Sequence, residues 1–158
     1  MDRAAASEPT AWVEMLVRRP AATVFHAFTD PDVITRFWLA TASGPLELGA
    51  TVHWEFMVPG ARVDTTVVAF EQDRHLRWEW SDGTVVDVTV APVDGHATTV
   101  RVEQRGFPGS PAEVLAAVVE ATQGFTIVVC DLKTLLEHGT SMHLVRDKAE
   151  LIRAHSTT

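Results

Sequence analysis

Residues 51 to 105 constrain the fold more than any other part of the chain. Valine, threonine and tryptophan dominate this stretch, and turn signals recur along it at Pro59-Gly60, 71–74, Asp82-Gly83 and Asp94-Gly95. Asp-Gly between alternating apolar residues is a strong short-range signal of a β-hairpin. The pattern therefore predicts five sequential antiparallel strands, near 51–58, 62–71, 74–81, 84–91 and 97–105.

A long helix is predicted after these strands. Ser110, Pro111 and Glu113 have the spacing of a capping box with proline in its first turn. Apolar residues then recur at helical spacing until His138-Gly139, where the glycine suits a C-terminal cap. Gly124 in the middle costs roughly 1 kcal/mol relative to alanine, so it marks a bend or a close contact.

One strand and two short helices are predicted before residue 51. Residues 11–18 alternate as a strand does, with Val13, Met15 and Val17 on one face. Pro20 suits the start of one helix, and Asp30-Pro31 suits the cap and first turn of the next. An antiparallel sheet with one apolar face needs a cover, and the C-terminal helix is the only predicted element large enough. The fold class is α+β, with six strands.

Length, charge and cysteine content exclude several classes of protein. A chain of 158 residues fits one domain, taken as 1–158. The net charge of -8 argues against a nucleic-acid surface and against docking on anionic lipid. Cys130 is the only cysteine, so no intrachain disulfide is possible. Residues 1–12 lack the apolar core of a secretory signal, and apolar runs such as 127–130 are too short for a membrane span. A cytoplasmic protein is expected.

Four stretches together resemble the START-like, or SRPBCC, helix-grip superfamily. Within it the chain is most similar to homologues of the C-terminal domain of the activator of heat-shock protein 90 ATPase. The stretches are "RPAATVFHAFTDPDVITRFW", "LRWEWSDGT", "TTVRVEQRGF" and "GFTIVVCDLKTLLEHG". The family usually has tryptophan at the place of Phe125. The match covers about 10–139 and leaves 140–158 as an extension, predicted to hold a short helix with Leu144, Lys148, Leu151 and Ile152 on one side.

The resemblance implies a curved antiparallel sheet wrapped around the long C-terminal helix, with a cavity between them. In the wider superfamily this cavity binds lipids, sterols, polyketides or other apolar molecules, and in some members it is an active site. Since a fold does not by itself give a function, the residues that would line the cavity decide the question.

Trp78 and Trp80 are the central candidates for that lining. Residues two apart in a strand point to the same side, so Arg77 and Glu79 face the other way. The rings are either packed core or the wall of a ligand cavity. The second interpretation gains support because a buried indole N–H needs a hydrogen-bond partner. With Gln104 as a further polar group near the cavity, the predicted lining is Trp38, Trp54, Phe56, Trp78, Trp80, Val88, Val102, Thr122, Phe125 and Val129.

The sequence predicts no catalytic residue, metal site or cofactor. The seven histidines lack the spacing of metal ligands; His75 and His96 are expected in solvated turns, and His53 in a surface pair with Glu55. The carboxylates Glu55, Glu79, Asp87 and Glu103 alternate with the apolar residues and are expected on the solvated face of the sheet. Cys130 is expected to be a buried structural thiol. Neither a nucleophile elbow nor a phosphate-binding glycine loop is present.

Three functions fit the sequence. The first is non-catalytic binding of an apolar or aromatic small molecule in the cavity. The second is a partner that modulates a chaperone; against it, the full activators carry an additional N-terminal domain for which this chain has no room. The third is an enzyme similar to a polyketide cyclase or aromatase that uses the same cavity. An open apolar cavity favours the first, a closed cavity with an exposed patch favours the second, and a buried acid–base pair favours the third. The oligomeric state is left open.

Overall fold

A computed structural model describes residues 7–156 of the chain. In this range the elements are β1 (Ala11–Val17), α1 (Ala21–Thr29), α2 (Pro31–Phe37), β2 (Leu39–Ala42), β3 (Thr51–Phe56), β4 (Arg62–Glu71), β5 (His75–Trp80), β6 (Val85–Pro92), β7 (Thr98–Arg105), α3 (Pro111–His138) and α4 (Leu144–Ser156).

The strands form one antiparallel sheet in the order β1-β7-β6-β5-β4-β3-β2. The five strands predicted between 51 and 105 are confirmed to within two residues at each end. The prediction of six strands is wrong by one, because the described part of the sheet has a seventh strand, β2, at its edge. This strand has only four residues, and its register with β3 shifts between Leu39 and Thr41. So short and irregular a strand shows no alternation in the sequence.

Local signals fix the ends of the elements as the sequence predicts. Asp82 accepts hydrogen bonds from the amide and hydroxyl of Thr84, and Gly83 adopts a φ of 91°, which closes the turn between β5 and β6. At the start of α3 the Ser110 hydroxyl accepts from the Glu113 amide, while the Glu113 carboxylate accepts from the Ser110 amide, each at 3.2 Å. This confirms the capping box, which is worth about 1 kcal/mol.

The core lies between the concave face of the sheet and the helices. Trp78 is fully buried and Trp80 is 9% exposed, whereas Glu79 lies on the opposite, exposed face. The expectation that the long helix alone covers the sheet is wrong. Phe25 and Phe28 of α1 are also buried in the core, so the short helices share the cover.

Only the C-terminal half of α3 is a core helix. Its buried residues begin at Phe125 and include Leu132 and Leu135, whereas residues 111–124 contribute none. By length and composition α3 is apolar enough to cross a membrane, a test that the core helix of a soluble protein also passes. In this fold its C-terminal half packs against β1 and the sheet.

Candidate functional site

An aromatic cluster fills the space between the sheet and Phe125 of α3. Trp38, the C-cap residue of α2, lies at its centre, with its ring centroid 5.4 Å from that of Trp54 and 6.2 Å from that of Trp78. The Phe125 ring stacks on Trp80 at 6.4 Å with an interplanar angle of 7°. Most other pairs in the cluster meet edge to face or tilted, arrangements that aromatic quadrupoles favour. The cluster is therefore a packed unit.

The indole N–H groups of this cluster are unequally satisfied. Trp80 Nε1 donates to the Thr65 hydroxyl at 3.0 Å. Trp78 Nε1 is completely buried and has no hydrogen-bond partner within the described residues. A buried donor without an acceptor costs about 1–3 kcal/mol, so the unpaired indole N–H of Trp78 destabilises the folded state.

An apolar pocket of about 240 Å³ lies beside this cluster. We call it the α4 pocket, because α4 forms one of its walls. The turn between β3 and β4 forms another wall, and α3 forms a third. The lining is Trp38, Phe56, Met57, Val58, Ala61, Gly124, Ile127, Val128, Val145, Lys148, Ala149 and Ile152. Among the described residues that line this pocket, Lys148 carries the only charged side chain.

Gly124 gives the α4 pocket part of its space. A Cβ atom built on this glycine would meet no heavy atom within 4 Å. The expectation of a close contact at Gly124 is therefore wrong. The missing side chain leaves an open stretch of the α3 wall instead.

The predicted cavity residues divide between the α4 pocket and the cluster behind it. Trp38 and Phe56 line the pocket and also belong to the cluster. The remaining predicted residues lie outside the pocket lining. Thr122 donates its hydroxyl to the carbonyl of Val118 at 2.7 Å, and the Gln104 amide donates to the Thr84 hydroxyl at 3.0 Å. Those buried in the cluster or the core beneath it are Trp54, Trp78, Trp80, Val88, Val102, Phe125 and Val129.

Sequence reasoning missed the contribution of α4 to the site. Val145, Lys148, Ala149 and Ile152 recur at helical spacing and together face the α4 pocket. The sequence indicated that Lys148 and Ile152 share one side of a helix, but it did not show what that side packs against. Leu151, placed on the same side by the sequence, is 56% exposed and is outside the lining.

Asp131 fixes the position of α4. This carboxylate is 1% exposed and accepts hydrogen bonds from the Ser141 hydroxyl at 2.6 Å, the Met142 amide at 2.9 Å and the Thr134 hydroxyl at 3.0 Å. Ser141 and Met142 belong to the connection between α3 and α4, so one buried side chain of α3 holds the segment that leads into α4.

The expectation that Asp87 is solvated is wrong. Asp87 is 4% exposed and binds the Arg105 guanidinium, His75 Nε2 at 2.6 Å and Arg77 Nε at 2.8 Å. Burial raises the pKa of this carboxyl, but the hydrogen bonds from Arg105, His75 and Arg77 outweigh it and hold the pKa below its ordinary value of 3.8. The long cationic side chains of β5 and β7 cover the carboxylate, and this network ties three strands together on the outer face of the sheet.

The other predicted surface groups lie as follows. Glu55 and Glu79 are exposed and Glu103 is partly exposed. His53 lies 4.0 Å from Glu55, as predicted, and 2.9 Å from Asp64. His75 is the first residue of β5, and its bond to Asp87 makes the expectation of a solvated turn wrong.

The structure also locates the thiol and the possible metal ligands. Cys130 is partly exposed rather than buried. Within residues 7–156 no group of three or more histidine, cysteine or acidic side chains is arranged to hold a metal ion.

Comparisons with known proteins find relatives of this fold. A family model described as activator of Hsp90 ATPase homolog 1-like protein matches residues 18–137. A solved structure from Staphylococcus saprophyticus is 22% identical, with a TM-score of 0.73 over 84% of this chain and 95% of its own. DynU16, a protein in the dynemicin biosynthetic locus, is 26% identical, with a TM-score of 0.72 over 85% of this chain and 49% of its own. The Aha1 dimer from Colwellia psychrerythraea is 18% identical, with a TM-score of 0.70 over 82% of this chain and 97% of its own. A search of the curated proteins finds no match.

Proposed function

The chain belongs to the family of activator of Hsp90 ATPase homolog 1-like proteins and has the START-like helix-grip fold, and we propose that it binds a small apolar or aromatic molecule in the α4 pocket without catalysis. The cytoplasm is the proposed compartment. A chain with a single cysteine forms no intrachain disulfide, so its fold does not depend on an oxidising compartment.

The shape and chemistry of the α4 pocket carry this proposal. Its lining is apolar apart from Lys148, and Trp38 and Phe56 present aromatic rings to it. Burial of apolar surface drives binding in such sites. In another protein an apolar cavity of about 150 Å³ is enough to bind benzene. A pocket of about 240 Å³ that opens to solvent therefore suits one or two rings of a ligand in its interior, with room for a further ring at its mouth.

The lining argues for binding rather than catalysis. General acid–base chemistry needs a donor and an acceptor of protons within reach of the substrate. Within residues 7–156, Lys148 is the only titratable side chain that lines the α4 pocket. The cyclase-like alternative therefore finds no acid–base pair in this pocket.

A chaperone-modulating function is the second candidate, and the family description favours it. The exposed half of α3 adds a surface that a protein partner would cover, since Leu115 is 65% and Val119 is 62% exposed. A large contiguous patch of exposed apolar residues is typical of a protein interaction site. A chaperone would bind to this outer surface, whereas a small-molecule ligand would bind in the α4 pocket.

Two neighbouring residues of α4 provide the test of the first candidate. N-phenyl-1-naphthylamine is a neutral probe whose fluorescence rises in apolar surroundings. Ile152→Ala removes apolar surface from the α4 pocket and should weaken probe binding about fivefold, which corresponds to roughly 1 kcal/mol. Leu151→Ala removes a similar side chain that lies outside the lining, and probe affinity should stay the same. No probe binding by the unmodified protein, or equal losses in the two variants, would refute the α4 pocket as the site.

A further inference from the structure

The ligand's chemical class follows from the one charged group in the α4 pocket, an inference that rests on the proposed function. We propose that the α4 pocket selects molecules that combine an apolar ring system with a carboxylate, and that the Lys148 ammonium pairs with this carboxylate.

Lys148 differs from the other lysine of the chain in having no partner. Lys133 donates to the Glu137 carboxylate at 2.6 Å and to the Leu16 carbonyl at 2.7 Å. The Lys148 ammonium makes neither a hydrogen bond nor an ion pair within residues 7–156, although the residue is partly buried. A partly buried ammonium without a counter-ion loses hydration and receives nothing in exchange. An anionic ligand supplies the missing partner.

The position of Lys148 on α4 fits an amphipathic ligand. Val145, Ala149 and Ile152 flank it on the same helical face, so apolar surface surrounds its stem. A lysine stem lies along apolar surface while its ammonium stays at the edge. A ligand whose ring lies in the pocket and whose carboxylate points to the rim matches this arrangement.

A second residue of the lining also carries an unpaired donor. Trp38 lines the α4 pocket, and its indole N–H makes no hydrogen bond within the described residues. A carboxylate has two oxygen atoms that accept hydrogen bonds. The two donors of the lining therefore match an acid better than an amine or a hydrocarbon.

The charge of the whole chain does not explain such a preference. With 21 acidic and 13 basic side chains besides histidine, the chain repels anions on average. Selection of a carboxylate must therefore come from a local cation next to the apolar pocket, and within the lining Lys148 is that cation.

A matched pair of compounds isolates this interaction. 1-Naphthaleneacetate and 1-naphthaleneacetamide have nearly the same size and differ in charge. Each is used to displace N-phenyl-1-naphthylamine from the protein at pH 7.5 in low salt. The acid should displace the probe at about tenfold lower concentration than the amide, which corresponds to about 1.4 kcal/mol.

Lys148→Met tests the residue, since methionine keeps most of the stem and removes the charge. In this variant the acid should lose its advantage, so the amide-to-acid ratio of displacing concentrations should fall from about ten to about one. Each displacing concentration is corrected for the variant's own affinity for N-phenyl-1-naphthylamine. Arg74→Met removes one positive charge from the exposed turn at the other end of β4, about 30 Å away by the rise per residue of a strand, and should leave the ratio unchanged.

The outcomes separate the two proposals. If the unmodified protein does not bind N-phenyl-1-naphthylamine, both proposals fail. If the probe binds but acid and amide compete equally, or if Lys148→Met leaves the acid's advantage intact, the carboxylate preference alone is wrong. An equal loss of probe, acid and amide binding in Lys148→Met would show that Lys148 only packs in the wall.

Discussion

Filling the α4 pocket from within α3 should make the protein more stable and less able to bind a ligand at the same time. Gly124 lies in the middle of α3 and lines this pocket, and a side chain at this position meets no atom within 4 Å at its Cβ. Gly124→Ala therefore adds a Cβ without a clash, and Gly124→Leu extends a larger side chain into the pocket.

The size of the stability change follows from helix propensity. Glycine in a helix interior is about 1 kcal/mol less favourable than alanine, and leucine is close to alanine. We expect both variants to raise the free energy of unfolding by about 0.5–1 kcal/mol. For a chain of this length that corresponds to a rise of about 1–4 °C in Tm.

The binding change has the opposite sign. Leucine at 124 occupies space that a ligand needs beside Ile127 and Val128, so N-phenyl-1-naphthylamine should bind at least tenfold more weakly, a loss of about 1.4 kcal/mol or more. Gln123→Leu is the matched control, because Gln123 is exposed and outside the lining; it should leave probe affinity unchanged. A Gly124→Leu protein that binds the probe normally would show that the ligand lies elsewhere. A fall in Tm for Gly124→Ala would show that α3 needs a glycine here for its shape.

Three further changes test other parts of the structure. Asp131→Ala leaves the Ser141 and Met142 donors without their acceptor, so the free energy of unfolding should fall by about 1–3 kcal/mol. Probe binding should weaken, and proteolysis in the connection between α3 and α4 should become faster. Unchanged cleavage would argue against Asp131 as the anchor of α4. Asp87→Asn tests the network on the outer face of the sheet. Because the folded-state pKa of Asp87 is below its ordinary value, the carboxylate stabilises the fold at neutral pH. The stability difference between wild type and variant should shrink as the pH falls below about 4, as urea titrations at several pH values would show. The 158-residue chain should stimulate a purified Hsp90 ATPase less than about twofold at stoichiometric concentration; a several-fold increase would favour the chaperone candidate over the ligand-binding one.

Local signals explain why most of the fold could be predicted. The Asp82-Gly83 turn and the Ser110 capping box act within a few residues of themselves, so the sequence alone places the ends of β5, β6 and α3. The two-residue period likewise assigned Trp78 and Trp80 to the buried face and Glu79 to the exposed one. The edge strand β2 was not predicted, because its four residues are too few to show a two-residue period.

The rest depends on contacts between residues far apart in the chain. Asp87 has the sequence position of a residue on the solvated face of its strand. It is buried because Arg77 and Arg105, on the two neighbouring strands, pack over it. The wall that α4 gives to the pocket has the same origin, since Lys148 and Ile152 meet the turn between β3 and β4 through tertiary packing. The sequence indicated that aromatic rings gather near the site. It gave no sign that the open space lies beside this cluster rather than within it.

The most direct test of binding in the α4 pocket is to locate a bound probe by intermolecular nuclear Overhauser effects. Protein labelled at isoleucine, leucine and valine methyl groups is mixed with N-phenyl-1-naphthylamine, and the ring protons of the probe are correlated with those methyls. If the probe binds in the α4 pocket, its ring protons should contact the methyl groups of Ile127, Val145 and Ile152, which line the pocket. Contacts with Leu115 and Val119 on the exposed half of α3 instead, or no contact with any methyl of the lining, would contradict binding in the α4 pocket.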